Sequence, residues 1–120
     1  MTRVGQQADF RISTEGDDVP AVVRMEGELD SFSAAQLREE LAGAVAYEAT
    51  IMDMREVAFV DSAGLGALVG GLRRIREAGR GVALCCTRPS VRRLLAMTGV
   101  DRLVLITDSQ AEARRLLVEQ

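Results

Sequence analysis

The stretch of sequence that decides the fold is residues 60–68, which read VDSAGLGAL. The apolar residues 57–60 lead into its Asp-Ser pair, and a helical pattern begins directly after that pair. Apolar side chains recur there at spacings of three and four, as on one face of a helix. These side chains are Leu65, Leu68, Val69, Leu72 and Ile75. The pattern therefore predicts that Asp61 and Ser62 stand at the start of a helix.

A helix start favours particular roles for these two residues. A side-chain oxygen there accepts hydrogen bonds from backbone N–H groups that lack a partner, and the helix dipole favours negative charge. A serine hydroxyl at such a position is exposed, and a phosphate added to it would lie against the donors that helix ends offer to anions. We therefore hypothesise that Ser62 is a phosphorylation site. The alternative is that Asp61 and Ser62 only cap the helix, which the local pattern alone favours.

The composition predicts one domain with an aliphatic core. The chain has 120 residues, of which 48% are hydrophobic and only 3% are aromatic, and this length is typical of a single domain. We assign residues 9–120 to the domain and expect residues 1–8 to form a flexible N-terminus. No apolar run approaches the length of a membrane span, and the first residues lack the apolar centre of a signal peptide. We therefore expect a cytoplasmic protein without membrane insertion.

The ionisable residues argue against several classes of function. A formal net charge of −3 is unfavourable for direct binding to nucleic acid, which needs a basic surface. The sequence has no histidine, and all 15 of its basic residues are arginine. These absences exclude Ser-His-Asp sites, zinc sites with imidazole ligands, Schiff-base lysines and the phosphate-binding lysine of a P-loop. We therefore expect no enzyme activity, no cofactor and no metal, and favour a switch or binding module.

Strand and helix patterns alternate along the chain. Residues 10–13 and 21–26 have the patterns of two strands, which we pair as an antiparallel hairpin. The elements that follow are a helix ending near Tyr47, a strand at residues 50–54, the Ser62 helix ending near Gly79, a strand at residues 81–86, a helix opening at Pro89, a strand at residues 103–106 and a helix after Ser109. Residues 57–60 either prolong the third strand or form an apolar connection, and the pattern leaves both open.

The first of these helices has a marked beginning. Ser33 and Gln36 have the spacing of a capping box, in which the two side chains satisfy free backbone N–H groups at the helix start. Phe32 and Leu37 stand in the positions of a hydrophobic staple across the same start. We therefore assign Ser33 to the N-cap and expect Phe32 to pack against Leu37.

The order β-β-α-β-α-β-α-β-α predicts a single α/β domain. Its mixed sheet would have four to five strands and about four helices, and right-handed crossovers make the later strands parallel. In open sheets of this kind, ligands and partners meet the carboxyl ends of strands, where loops lead into helices. The loops that contain Asp30 and Ser62 are both of this kind, so we expect them to lie side by side.

Three short motifs stand in a fixed order on this pattern of strands and helices. They are residues 27–30 (GELD), 61–66 (DSAGLG) and 97–103 (MTGVDRL). Together they resemble the STAS domain family, in particular the bacterial anti-sigma factor antagonists. Each motif alone is a weak signal, and their common order makes the resemblance specific. It covers roughly residues 19–117 and implies a single STAS-type domain.

The resemblance implies a role in partner switching. In that family, the unphosphorylated antagonist binds an anti-sigma factor that is also a serine kinase, and a sigma factor is released. The kinase then phosphorylates the serine after the motif aspartate, here Ser62, and a metal-dependent serine phosphatase resets the switch. By the same resemblance, the protein would be a monomer or weak dimer. The partner-binding residues would be Asp30, Ser31, Asp61, Ser62, Ala63, Gly64 and Leu65.

Several alternatives remain beside this hypothesis. Many relatives carry a second serine where this chain has Ala63, so a fallback acceptor is missing while Ser62 is intact. Ser31 and Ser33 are further candidate acceptors, although for Ser33 the capping role is favoured. A STAS domain without phosphorylation would serve as a scaffold or as an accessory subunit of a signalling or membrane transport complex. A hydrolase that uses Ser62 would need an unusual base, because histidine and lysine are absent.

Overall fold

The computed structural model describes residues 10–16 and 19–119, within which the chain forms five strands and five helices. The strands are β1 (Phe10–Glu15), β2 (Ala21–Leu29), β3 (Ala49–Val60), β4 (Gly81–Cys85) and β5 (Leu105–Thr107). The helices are α1 (Ala34–Gly43), α2 (Ser62–Glu77), α3 (Pro89–Met97), α4 (Val100–Leu103) and α5 (Gln110–Val118), and a 3-10 turn (Ala44–Ala46) follows α1. The N-terminus that we expected to be flexible, residues 1–8, lies outside the described residues.

The strands form one mixed sheet in the order of the chain, β1-β2-β3-β4-β5. β1 and β2 pair antiparallel, from Phe10 opposite Gly27 to Glu15 opposite Val22. The pairs β2–β3, β3–β4 and β4–β5 are parallel, since a helical crossover connects each of them. The predicted hairpin, parallel strands and α/β class are confirmed. The carboxyl ends of β2 to β5 consequently lie at one edge of the sheet, where each leads towards a helix.

β3 is longer than the sequence pattern could establish. Residues 57–60 prolong the strand, so β3 runs over Ala49–Val60, whereas its pairing with β4 ends at Asp53 opposite Cys85. Beyond that point β3 pairs only with β2. The register between these two strands shifts twice, once on each side of Gly27. Gly27 has a φ of 107°, a backbone conformation that favours glycine. The two strands therefore extend past β4 and carry the loops that follow them.

The sheet has a hydrophobic core on each face. The larger core lies under α1, α2 and α3, and its fully buried side chains include Leu29, Leu37, Met52, Met54, Leu68 and Leu95. The smaller core lies under α5, and its residues are Val22, Ile51, Ala83, Cys85 and Ala113. Burial raises the pKa of the free thiols of Cys85 and Cys86, so both cysteines behave as small apolar side chains.

A buried carboxylate joins β3 to α5 beside the smaller core. Asp53 is 6% exposed and lies on the face of β3 that α5 covers. Its oxygens accept hydrogen bonds from the Arg55 guanidinium at 2.7 and 2.9 Å and from the Gln110 amide at 2.7 Å. Burial opposes ionisation of this carboxyl, but the hydrogen bonds from Arg55 and Gln110 outweigh burial and lower its pKa to about 2. Asp53 is therefore a charged anchor for the last helix.

The predicted strand at residues 103–106 is wrong at its beginning. Val100–Leu103 forms the helical turn α4, and β5 starts only at Leu105, so the described chain has one helix more than the four expected. Val100 is 1% exposed in the larger core, and Arg76 donates a hydrogen bond to the Leu103 carbonyl. These contacts with distant parts of the chain stabilise a turn that the apolar run alone does not reveal.

Candidate functional site

The turn between β3 and α2 places Asp61 and Ser62 at the helix start that their pattern predicts. Asp61 is the N-cap, and its Oδ1 accepts a hydrogen bond from the Gly64 N–H at 2.8 Å. Ser62 is the first residue of α2, and it is exposed. The capping is carried by the aspartate, so the serine hydroxyl is not needed to satisfy the helix end. A modifying enzyme could reach this hydroxyl without opening the fold.

Asp30 organises the loop between β2 and α1. Its Oδ1 accepts hydrogen bonds from the N–H groups of Phe32 at 2.9 Å and Ser33 at 3.1 Å. Its own carbonyl accepts a hydrogen bond from the Ala34 N–H at 2.9 Å. These bonds hold the half-buried carboxylate inside a tight turn and leave Ser31 exposed at the tip.

Ser33 does not form the predicted capping box. Its hydroxyl donates to the Glu28 carbonyl at 2.8 Å and accepts from the Asp30 N–H at 2.8 Å, and it makes no side-chain cap with α1. Phe32 is 65% exposed, so the predicted staple with Leu37 is also wrong. The hydroxyl of Ser33 ties the loop back to β2, because the end of that strand offers it a carbonyl. Ser33 is only 4% exposed, which closes it to a kinase.

The two loops lie side by side, as expected from the parallel sheet. Leu29 and Val60 are opposite each other at the ends of β2 and β3, and the Asp61 N–H donates to the Leu29 carbonyl at 3.0 Å. A Cβ atom added at Gly64 would stand 2.2 Å from the same carbonyl oxygen. The first turn of α2 therefore rests on the backbone at the end of β2, and only glycine allows this approach.

The seven predicted partner-binding residues differ in their access to solvent. Ser31, Ser62 and Ala63 are exposed, Asp30, Asp61 and Leu65 are half-buried, and Gly64 is buried. The exposed residues belong to both loops, so one partner surface could contact them together. Gly64 holds the loops at their spacing, and Leu65 packs against the larger core.

A groove between α1 and α2 adjoins Ser62 and escaped the sequence analysis. This α1–α2 groove has a volume of about 250 Å³. It is lined by Arg38, Ser62, Ala63, Gly66, Ala67, Gly70, Gly71 and Arg74. The two helices approach closely where Gly71 faces Leu41, whose Cδ1 would stand 2.3 Å from a Cβ atom at that glycine. Sequence patterns predict the two helices but not which of their faces pack together. Nothing in the sequence therefore indicated that Arg38 lines a groove next to Ser62.

Two exposed phenylalanines near the loops were also missed. Phe32 follows Ser31 in the first loop, and Phe59, near the end of β3, is 49% exposed and lies opposite Glu28 of β2. The chain has one other phenylalanine, Phe10, which is 3% exposed in the larger core. Exposed aromatic side chains are frequent anchors of protein interfaces. The exposure of Phe59 could have been predicted from its position before Val60. Neighbouring residues of a strand face opposite sides of the sheet, and Val60 is buried.

The described residues bring together no group of three or more histidine, cysteine, aspartate or glutamate side chains that could hold a metal ion. In the same part of the chain, every helix is too short or too polar to cross a membrane. The carboxyl edge of the sheet presents two adjacent loops, an exposed serine at a helix start, and a groove that Arg38 and Arg74 help to line.

Comparisons with known proteins agree with this architecture. The family model of the STAS domain matches residues 11–113. An anti-sigma F factor antagonist from Paenibacillus polymyxa is 32% identical over 95 residues, which are 77% of this chain and 81% of that protein. The resemblance seen in the three sequence motifs is confirmed.

Solved structures share the fold. An anti-sigma factor antagonist from Mycobacterium paratuberculosis has a TM-score of 0.82 and 24% identity, covering 91% of this chain and 94% of that chain. The phosphorylated form of the Bacillus cell fate determinant SpoIIAA has a TM-score of 0.67 and 23% identity, covering 86% and 96% of the two chains. With its fold, its family match and its relatives in agreement, the chain belongs to the STAS domain family and is related to the anti-sigma factor antagonists.

Proposed function

We propose that this protein is an anti-sigma factor antagonist that works by partner switching. Its unphosphorylated form binds an anti-sigma factor that is also a serine kinase, and a sigma factor is released. Phosphorylation of Ser62 ends the binding, and a metal-dependent serine phosphatase restores it. The observation that carries the proposal is the exposed Ser62 at the start of α2, beside the Asp30 loop, in a chain related to such antagonists.

The charge at this surface gives the switch its physical basis. A phosphate adds about −1.5 to −2 charges at neutral pH, and here it would stand next to Asp61 and near the Asp30 loop. That charge repels an acidic partner surface, and the phosphate also occupies space at the contact. The start of α2 stabilises the phosphate through its free N–H groups, so the fold itself can remain unchanged. A coupling of about 1–3 kcal/mol would change the affinity roughly 5- to 150-fold.

The protein itself acts as a regulator and not as an enzyme in this proposal. The chain contains no histidine or lysine to activate Ser62. Among the described residues, no side chain forms a hydrogen bond with the Ser62 hydroxyl that would mark a general base. The phosphoryl group comes from ATP bound by the kinase, and the chain supplies only the accepting hydroxyl.

Two substitutions at Ser62 test the switch. We expect Ser62→Ala to stay bound to the cognate kinase in the presence of ATP, because no phosphate can be added. We expect Ser62→Asp to bind at least about fivefold more weakly than the wild type, since it carries a permanent charge at the contact. Binding is measured by calorimetry with the purified kinase, and the phosphate is located by mass spectrometry.

Ser31→Ala is the control for the site of modification. Ser31 is the exposed serine of the neighbouring loop and a predicted partner contact, so its substitution can change the affinity, but the phosphate should still be located on Ser62. Equal affinity of Ser62→Ala and Ser62→Asp for the kinase, or a phosphate on another residue, would contradict the proposal.

A further inference from the structure

The α1–α2 groove contains two arginines whose charges are not used within the described part of the chain. Arg38 and Arg74 are exposed, and neither makes a hydrogen bond or an ion pair with another described side chain. Some arginines elsewhere on the surface are paired: Arg92, for example, with Asp108 at 2.5 Å. The groove beside Ser62 is therefore a place of uncompensated positive charge in an acidic protein.

Helix packing directs Arg38 towards Ser62. Both α1 and α2 follow parallel strands and begin at the same edge of the sheet, so they run side by side in the same direction. Leu41 meets Gly71, which places Arg38 about 4.5 Å nearer the starts of the helices. A helical side chain leans towards the N-terminus of its own helix. The Cα–Cβ bond of Arg38 is therefore inclined towards the end of the groove that holds Ser62, and both residues line this groove.

The floor of the groove leaves this path open. A Cβ atom added at Gly66 or Gly70 would meet no heavy atom within 4 Å. Arg74 lies on the same groove but twelve residues after Ser62 on the same helix, a rise of roughly 18 Å. Arg38 is therefore the nearer of the two cations, and Arg74 contributes only a more distant charge.

We propose that Arg38 binds the phosphate of phosphorylated Ser62 across the α1–α2 groove. This inference rests on the proposed phosphorylation of Ser62 and describes how the phosphorylated surface is organised. The planar guanidinium of arginine forms paired, charge-assisted hydrogen bonds with phosphate oxygens. Phosphorylation then changes the partner-facing surface twice, since Ser62 gains negative charge and Arg38 ceases to be a free cation. The chain itself thereby holds the modified serine in one orientation.

The test uses phosphoserine that is installed at position 62 by genetic encoding, so that no kinase is needed. The second pKa of its phosphate is measured by ³¹P NMR titration of the folded protein. We expect Arg38→Gln to raise this pKa by about half a unit or more, which is at least a threefold change in the dissociation constant. Arg38→Lys keeps the charge but not the paired hydrogen-bond geometry. The second pKa of the phosphate in this variant should therefore lie between the values for the wild type and for Arg38→Gln.

Arg74→Gln is the matched control, because it removes the same charge from the same groove at a greater distance. Gly66→Leu is a second, independent variant: it should fill the floor between Arg38 and Ser62 and raise the pKa while both groups remain. Circular dichroism establishes that each variant is folded. A rise with Arg38→Gln no larger than that with Arg74→Gln would overturn the proposal. That result would not contradict the proposed switch at Ser62. Conversely, failure of the kinase to phosphorylate Ser62 would contradict the switch, but not the contact between Arg38 and an installed phosphate.

Discussion

At the scale of single residues, Gly64 determines how closely α2 approaches the end of β2. A Cβ atom there would stand 2.2 Å from the Leu29 carbonyl oxygen and 2.6 Å from its carbon, and neither backbone atom can rotate away. We expect Gly64→Ala to lower the free energy of unfolding by about 1–3 kcal/mol through this overlap. Urea denaturation followed by circular dichroism measures the change.

Gly66, two residues further along the same helix, provides the comparison for Gly64. Its missing Cβ would point into open space, so Gly66→Ala meets no neighbour within 4 Å. Alanine is favoured over glycine inside a helix, and we expect this variant to gain up to about 1 kcal/mol. Destabilisation of similar size by both substitutions would show that helix flexibility, and not the approach to Leu29, governs Gly64.

Residues whose roles depend on close neighbours in sequence could be predicted from the sequence. Asp61 caps α2 through Gly64, three residues away, so the helix start that presents Ser62 was readable from the pattern. Ser33 had the same kind of pattern, yet its hydroxyl bonds to the Glu28 carbonyl at the end of β2. In this loop Asp30 already accepts the hydrogen bonds of the free backbone N–H groups, so Ser33 is not needed as their acceptor. A local motif does not reveal this.

At the scale of secondary-structure elements, Asp53 couples β3 to α5 through its ionised form. Its pKa of about 2 lies below the value of 3.8 for a free aspartate. The stabilisation of about 2 kcal/mol that this difference represents is fully present above pH 3.8 and is lost as the pH falls through 2. Acid should therefore weaken the contact between the last helix and the sheet.

Asp53→Asn tests this coupling. We expect the wild type to exceed the variant in unfolding free energy at pH 6 and the difference to shrink by about 2 kcal/mol by pH 2. Denaturation by urea at a series of pH values gives both curves. Asp108→Asn is the control, because Asp108 is 82% exposed in its pair with Arg92 and should cost less than about 1 kcal/mol. A difference that does not vary with pH would count against the role of Asp53.

Elements were predictable where their own periodicity decided them. The hairpin, α2 and the parallel strands follow from patterns within each segment. The turn at Val100–Leu103 depends on Arg76, a residue of α2, and on burial in the larger core. The α1–α2 groove likewise exists only after Leu41 has packed on Gly71. Contacts between elements therefore set what the sequence could not show, including the position of Arg38.

At the scale of the whole molecule, exposed aromatic and hydroxyl side chains gather at the carboxyl edge of the sheet. Phe32 and Phe59 are 65% and 49% exposed there. Large anchoring side chains supply much of the energy at protein interfaces. We expect Phe32→Ala and Phe59→Ala each to weaken binding of the unphosphorylated protein to the proposed kinase partner by more than about 1 kcal/mol, or roughly fivefold. Surface plasmon resonance measures both affinities.

Met97 and Val118 are matched controls for these phenylalanines. They are 77% and 71% exposed, and each stands at the last residue of its helix. Because helices that follow parallel strands run away from the carboxyl edge, these side chains are distant from Ser62. Met97→Ala and Val118→Ala should therefore leave the affinity unchanged. Equal losses at all four positions would indicate a general effect of surface hydrophobicity.

The junction of the two loops through main-chain atoms has a consequence for how such proteins diversify. The Leu29 carbonyl accepts the Asp61 N–H and touches Gly64, so the framework of the surface does not depend on the identity of Ser31, Phe32 or Ala63. Duplicated genes can therefore accumulate substitutions at these exposed residues while the encoded proteins keep the same fold. Exchanging these residues between two paralogues should therefore exchange their partner specificities. Paralogues that differ at these positions should not bind each other's partners.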